Sequence, residues 1–154
     1  MSFREKLVIW TLLDTGMRVG ELCRICRGDI QWQEDRVVVW GKGGRYGTRG
    51  KRRIVPPTER ASKLLEVHFI AGERMGTTAR AAQRMVKRVA DRAMITRPVS
   101  PHVLRHTFAV NCVQRGVSTA SVKKILGHDR LETTEIYLNL SPERPIREFR
   151  EKMC

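Results

Sequence analysis

Val37-Val38-Val39 is the most strand-like run in a chain whose other apolar segments keep helical spacing, and it limits the fold class more than any other feature. Ile30 to Gln33 and Arg36 to Trp40 flank Glu34-Asp35, as two strands flank a turn. A glycine-rich stretch from Gly41 to Arg53 follows, carrying six cations and no carboxylate, and then Ile54-Val55 ahead of Pro56-Pro57. The economical arrangement is a small antiparallel sheet of three strands with one long cationic loop. Helices are predicted on both sides of it. Phe3 to Asp14 has apolar residues at 3, 7, 10 and 13 and stops at Gly16, and Arg18 to Cys26 repeats the pattern with Val19, Leu22 and Ile25. After the sheet, Thr58 caps a helix to about Ile70, and Thr77 or Thr78 caps another to about Met94. His102 to about Arg115 ends at Gly116, and Ser118 to Leu126 ends at Gly127. Thr133 begins a short helix carrying Tyr137, and Ile146, Phe149 and Met153 make an apolar stripe on a last one. The expectation is a single α+β domain over 1–154, mainly α, without internal repeats or an interdomain linker.

Charge narrows the partner. The chain has 154 residues with 30 Lys+Arg against 16 Asp+Glu, a formal net charge of +14, and 22 of the cations are Arg. Arginine grips phosphate oxygens with a planar fork, whereas lysine acts as a point charge. A polyanion is the natural partner, and nucleic acid is favoured over an anionic membrane surface. The longest apolar stretch, Leu7 to Leu13, falls far short of the roughly 20 residues that span a bilayer. The opening residues also lack the small-residue cleavage site of a secretory signal. A cytoplasmic, nucleoid- or DNA-associated protein is expected, with no membrane partner. In the 78–94 helix, Arg80, Arg84, Arg88 and Arg92 recur every four residues, opposite Ala82, Met85, Val86, Val89 and Ala93. Only Asp91 within that helix can neutralise them, so Arg80, Arg84 and Arg88 are candidate DNA contacts. Arg45, Arg49, Lys51 and Arg52 of the cationic loop are further ones.

Cysteines occur at 23, 26, 112 and 154. Cys23 and Cys26 with His102 and His106 imitate a zinc set, yet residues 27–101 separate the pairs, far more than in a zinc finger. Both pairs also fall in helical patterns, where such spacings arise freely. Reduced thiols and no metal site are the expectation.

Chemistry on a phosphodiester is the remaining question. Acids are few and scattered, without a paired-carboxylate metal site, and Gly41-Lys42-Gly43-Gly44 lacks the spacing of a nucleotide-binding loop. A metal-free route needs a side-chain nucleophile, cations for the transition state and a proton donor for the leaving oxygen. His102 and Arg105 stand three apart at a helix start, where they share a face and where free amides add affinity for an anion. His128 follows the glycine that ends a helix.

Thr15-Gly16-Met17-Arg18, Gly41-Lys42-Gly43, His102-Val103-Leu104-Arg105-His106-Thr107-Phe108-Ala109 and Ile125-Leu126-Gly127-His128 follow one another in order. Thr133-Thr134 then precedes Tyr137, nine residues after His128. From about Leu12 to Leu138 this resembles the catalytic domain of the tyrosine recombinases, the phage-type integrases and Xer-type resolvases. The resemblance implies the fold of the DNA breaking-rejoining enzymes and an integrase-type activity in DNA recombination, often of mobile elements. It implies that Tyr137 attacks the scissile phosphate to give a 3′-phosphotyrosyl enzyme and a free 5′-hydroxyl, with neither ATP nor any other cofactor. Arg18 and Arg105 would clamp the non-bridging oxygens, each donor of this kind being worth roughly 3 kcal/mol. Lys42 would protonate the leaving oxygen, His102 would serve as proton-transfer partner and His128 would hydrogen-bond the phosphate. Glu21 would orient Arg18.

Alternatives remain at this level. Lys51 stands in for Lys42 if the long loop is threaded differently, and Tyr46 is the one other tyrosine. His106 is assigned to the core beside Phe108 and Ala109. A type IB topoisomerase would share the chemistry and differ in outcome, relaxing DNA without strand exchange. Family members usually carry an amino-terminal core-binding domain, which is expected to be absent from this chain. The tail, 140–154, either docks on a neighbouring protomer or packs on its own domain. The expected assembly is a tetramer on DNA for a full-length protein and a monomer in solution for this chain.

Overall fold

The structure is a computed structural model, and it describes residues 1–41, 52–127 and 143–153. Helix α1 spans Phe3–Thr15 and α2 spans Val19–Arg24. Strands β1 (Ile30–Gln31), β2 (Arg36–Trp40) and β3 (Arg52–Val55) form one antiparallel sheet in that order. Helices α3 (Glu59–Ala71), α4 (Ala79–Arg92), α5 (Pro101–Gln114), α6 (Thr119–Leu126) and α7 (Glu143–Met153) follow. The mainly helical fold with a three-stranded sheet is the expected one.

Local chemistry explains most boundaries. The hydroxyls of Ser2, Thr58, Thr78, Ser100 and Ser118 accept first-turn amide protons of α1, α3, α4, α5 and α6, each such cap contributing about 1 kcal/mol. Gly16 ends α1 at φ +67°, and a Cβ there would collide with the Phe108 ring and Leu126. Glycine is thus required twice over, by the left-handed backbone and by the approach of α5 and α6.

Besides the end of α2, at Arg24 and not Cys26, three boundaries differ from expectation. The first strand stops at Gln31, because Trp32–Glu34 close a 3-10 turn with the Asp35 amide donating to the Trp32 carbonyl. Helix α4 ends at Arg92, before Met94. The Ile95 amide donates to the Ala90 carbonyl around a left-handed Met94, and Ala93 is left exposed instead of joining the apolar arc. The third difference matters for the site: β3 begins at Arg52, so Arg52 and Arg53 belong to the sheet and not to the loop. The register pairs Val39 with Arg53 and Val37 with Val55.

Two apolar clusters meet where the site lies. The larger gathers α1, α2, the sheet, α3 and α4 around Leu7, Leu12, Leu22, Val37, Val55, Leu65 and Phe69. The smaller joins α5 to α6 through Phe108, Ala109, Val113, Val122 and Leu126. Ile125 packs against both. Among the described residues, no helix is long and apolar enough to cross a membrane.

Candidate active site

Arg18 is the N-cap of α2, one residue outside the helix, and its side chain is half exposed. Glu21, in the first turn, folds back on it. The Arg18 amide donates to Glu21 Oε2 at 2.8 Å, and Arg18 Nη1 donates to Glu21 Oε1 at 3.1 Å. Glu21 thus touches Arg18 through a side-chain hydrogen bond, the contact that the orienting role implied by the resemblance would need. The carboxylate is buried, at 3% exposure, and it has a second cation. Arg53 donates to it through both terminal nitrogens, at 2.5 and 2.7 Å, and sends Nε to the Ile125 carbonyl at 2.8 Å. Burial pushes the Glu21 carboxyl up, but the Arg53 hydrogen bonds and charge, helped by Arg18, bring it below its ordinary value.

Arg105 is 2% exposed and lies beneath this corner. Its Nη1 donates to the Gly16 carbonyl at 2.5 Å and its Nη2 to the Leu126 carbonyl at 2.6 Å. One guanidinium thus joins the end of α1, the start of α5 and the end of α6. Those are the three places where Thr15-Gly16-Met17-Arg18, His102 to Ala109 and Ile125-Leu126-Gly127 stand in the sequence. Three motifs meet at one side chain, whose partners lie 89 and 21 residues away along the chain.

His102, in the first turn of α5, is exposed, while Arg105 three residues on turns inward. The Val103 amide of that turn is taken by the Ser100 hydroxyl at 3.3 Å, so it is not offered to an anion as expected. His106 is partly buried. Burial pushes its imidazole below the usual range, and the neighbouring His102 adds to the shift. Phe108 and Ala109 are core, as expected. On α4, Arg80, Arg84 and Arg88 are all exposed. Asp91 is not their only counter-charge: Glu5 of α1 accepts from Arg92 at 2.8 Å and lies 4.0 Å from Arg88. Arg80 and Arg84 make no ion pair among the described residues. Arg52 is exposed at the start of β3, opposite Trp40. Lys42, Arg45, Tyr46, Arg49, Lys51, His128 and Tyr137 lie outside the described residues. Cys26 falls beyond α2, its thiol donating to Asp29 Oδ2 at 3.1 Å. Among the described residues no three His, Cys, Asp or Glu side chains gather as a metal ion would need.

Arg53 is the member that sequence reasoning missed, having been counted among the loop cations. A signal was present: in a strand, Arg53 shares a face with Val55, and Val55 is fully buried. An inward cation on such a face must find a carboxylate.

The layout of helices around a three-stranded sheet, with three chain corners tied beneath one half-exposed arginine, defines the class of the tyrosine recombinase catalytic domain. Residues 1–144 match the phage integrase family, and the chain belongs to it. The tyrosine recombinase XerC of Corynebacterium efficiens is 34% identical over 161 residues, covering 96% of this chain and 50% of that protein. The crystal structure of a XerA recombinase superposes with a TM-score of 0.79 at 28% identity, over 97% of this chain and 58% of that one. A XerH recombinase bound to palindromic difH substrate in a post-cleavage complex matches in fold, with a TM-score of 0.73 at 22% identity over 99% of this chain and 48% of that one. The chain spans about half the length of the curated relatives it matches.

Proposed function

We propose that the chain is the strand-cleaving and rejoining domain of a site-specific DNA recombinase, working through a 3′-phosphotyrosyl intermediate. Tyr137 oxygen attacks the scissile phosphorus, the bond to the 5′-oxygen breaks, and that oxygen takes a proton from Lys42. Attack of a 5′-hydroxyl on the phosphotyrosyl bond reverses the sequence and releases Tyr137, so the bond energy is conserved without ATP or a metal. Arg18 meets the non-bridging oxygens, backed by Arg105. His102 takes the Tyr137 hydroxyl proton during the attack and returns it in the reverse step, and His128 hydrogen-bonds the phosphate.

The observation that carries this reading is the Arg105 junction. It supports a common site for three motifs that the sequence scatters, and it leaves the Arg18 guanidinium at the surface where a phosphate can reach it. Family membership and the order of the motifs support the rest. Double-stranded DNA is the substrate, met by Arg45, Arg49, Lys51, Arg52, Arg80, Arg84 and Arg88. The protein works inside the cell on DNA. In a longer protein, α7, with Ile146, Phe149 and Met153 exposed, docks on a neighbouring protomer of a tetramer, and this chain alone is a monomer.

The test is a nicked suicide duplex incubated with the protein in EDTA at low salt, read as a denaturation-resistant protein–DNA adduct. An adduct lost in Tyr137→Phe and kept in Tyr46→Phe is the expected result. An adduct that survives Tyr137→Phe, or one that requires a divalent metal, overturns the assignment.

A further inference from the structure

We infer that Arg53 is a positioning residue for Arg18: from inside the sheet it ties the Glu21 carboxylate to the Ile125 carbonyl, and by occupying Glu21 it keeps Arg18 available to a phosphate. The inference rests on the strand-cleavage reading above. Arg53 is 11% exposed, and its side chain runs from β3 beneath α2 and the last turn of α6. It lies against Gly127, where a Cβ would come within 2.9 Å of Arg53 Cδ and where φ is +69°. Glycine is needed there because Arg53 fills the space and because the backbone is left-handed. The residue after Gly127 is His128. One side chain thus braces both the carboxylate under Arg18 and the corner from which the His128 segment departs.

The charge balance adds a second effect. Two guanidinium groups share one carboxylate, which leaves one positive charge in excess, and Arg18 is the half-exposed member of the three. Among the described residues, Arg18 is the cation that remains beside Glu21 without Arg53. The buried carboxylate then draws Arg18 into a full ion pair, turned inward and neutralised. Glu21 alone would hold Arg18 too tightly; Glu21 saturated by Arg53 aims it.

The experiment measures single-turnover adduct formation on nicked suicide duplexes with a randomised core, at saturating protein, alongside duplex affinity. Arg53→Met is expected to slow the adduct about 10- to 100-fold, the range for misplacement of a reacting group by a residue that does not touch it. Duplex affinity is expected to fall much less than the rate, because Arg53 is enclosed, at 11% exposure, and does not itself reach the duplex. Arg53→Lys, which keeps the charge and loses the fork, is expected to recover part of the rate, and it carries the test if Arg53→Met does not fold. Adding Glu21→Gln to Arg53→Met removes the unbalanced carboxylate, so the double variant is expected to react faster than Arg53→Met alone. A purely architectural role predicts a slower double variant, and that result overturns the inference. The nitrogen-15 signal of the Arg18 side chain in DNA-free protein is the independent readout. If it is the same in wild type and Arg53→Lys, the inference fails whatever the cleavage rates. If wild type forms no Tyr137-dependent adduct, the strand-cleavage reading fails, whereas a shifted Arg18 signal would still uphold the bracing of Arg18 by Arg53.

Discussion

Glu5 and Glu21 occupy the same position in two different helices. Each is the third residue of its helix, each accepts the backbone N–H of the N-cap at 2.8 Å, and each is buried beside two arginines. At α1 the arrangement is complete. Ser2 returns the bond through its hydroxyl, and Glu5 reaches across to Arg92 and Arg88, fastening α4 to α1 with cations that stay largely in water. At α2 the N-cap is Arg18, which has no acceptor to offer, so half of the capping box is missing. The second cation, Arg53, is inside the protein. One carboxylate motif therefore joins two helices, while the other surrenders a cap to present an arginine. The proposed role of Arg18 at the phosphate would account for this departure from a local rule of stability.

The largest effect should come from breaking what lies under α2. Arg105→Met leaves the Gly16 and Leu126 carbonyls without the donor they now have, at a cost of about 2–5 kcal/mol for buried groups of this kind. Urea unfolding measures that loss, and adduct formation should disappear with it. A variant as stable as wild type would mean that Arg105 does not tie the corners together. Arg60→Met is the contrast. Arg60 makes a bidentate pair with the buried Asp14, at 2.7 and 2.8 Å, and lies over the Trp10 ring, yet it is half exposed and bonds to none of Arg18, Glu21, Arg53 and Arg105 among the described residues. Its loss should cost stability and leave the adduct intact in folded protein.

The comparison is sharpened by repairing the cap. Arg18→Ser supplies α2 with the hydroxyl that α1 already has, and a good N-cap is worth about 1 kcal/mol. The variant should therefore be more stable than wild type, by a higher urea midpoint, while forming no adduct. A gain in stability together with loss of chemistry is the signature of a residue retained for function. If Arg18→Ser is destabilised, the arginine is holding the fold, and the contrast between the two helices collapses.

How far the chain could be read beforehand follows from how local each feature is. Caps, glycine stops and the β-branched run Val37 to Val39 act within a few residues, and the helices and sheet order they predict are found among the described residues; the short helix expected from Thr133 lies outside them. The motifs around Arg18, His102, Arg105 and His128 were legible as a set because their spacing is characteristic. The use of individual charges was not. Arg53 blended into a cationic stretch, since an arginine gives no sign of pointing inward until the strand face and its carboxylate are both known. Glu5 meets Arg92 across 87 residues, so Arg92 looked unbalanced within its own helix. The sequence presents Arg105 as a phosphate clamp alone, because the carbonyls of Gly16 and Leu126 leave no trace in side-chain chemistry.

The smallest effect is expected at Glu5, and it shows mainly in acid. Arg92, helped by the Ser2 amide and by Arg88, holds the Glu5 carboxyl down at about 2, against 4.5 for the group in an unfolded chain. A depressed carboxyl stabilises the fold above its unfolded value, and the contribution drains away as the pH falls from 4.5 toward 2. Glu5→Gln removes the proton uptake, so its stability should decline less steeply than wild type over that window, with little change in the fold at neutral pH. Glu21 is shifted in the same direction, so Glu21→Gln should flatten the same limb. Salt separates the two. Raising ionic strength to about 1 M cuts the screening length to about 3 Å, which weakens pairs whose cations stand in water and spares enclosed ones. The acid limb assigned to Glu5, with Arg88 and Arg92 exposed, should shrink in salt, and the limb assigned to Glu21, with Arg53 enclosed, should persist. Thermal melts of both variants across the acid range at low and high salt measure this. Equal salt sensitivity would mean that the Arg53 pair is as open to water as the Glu5 seam.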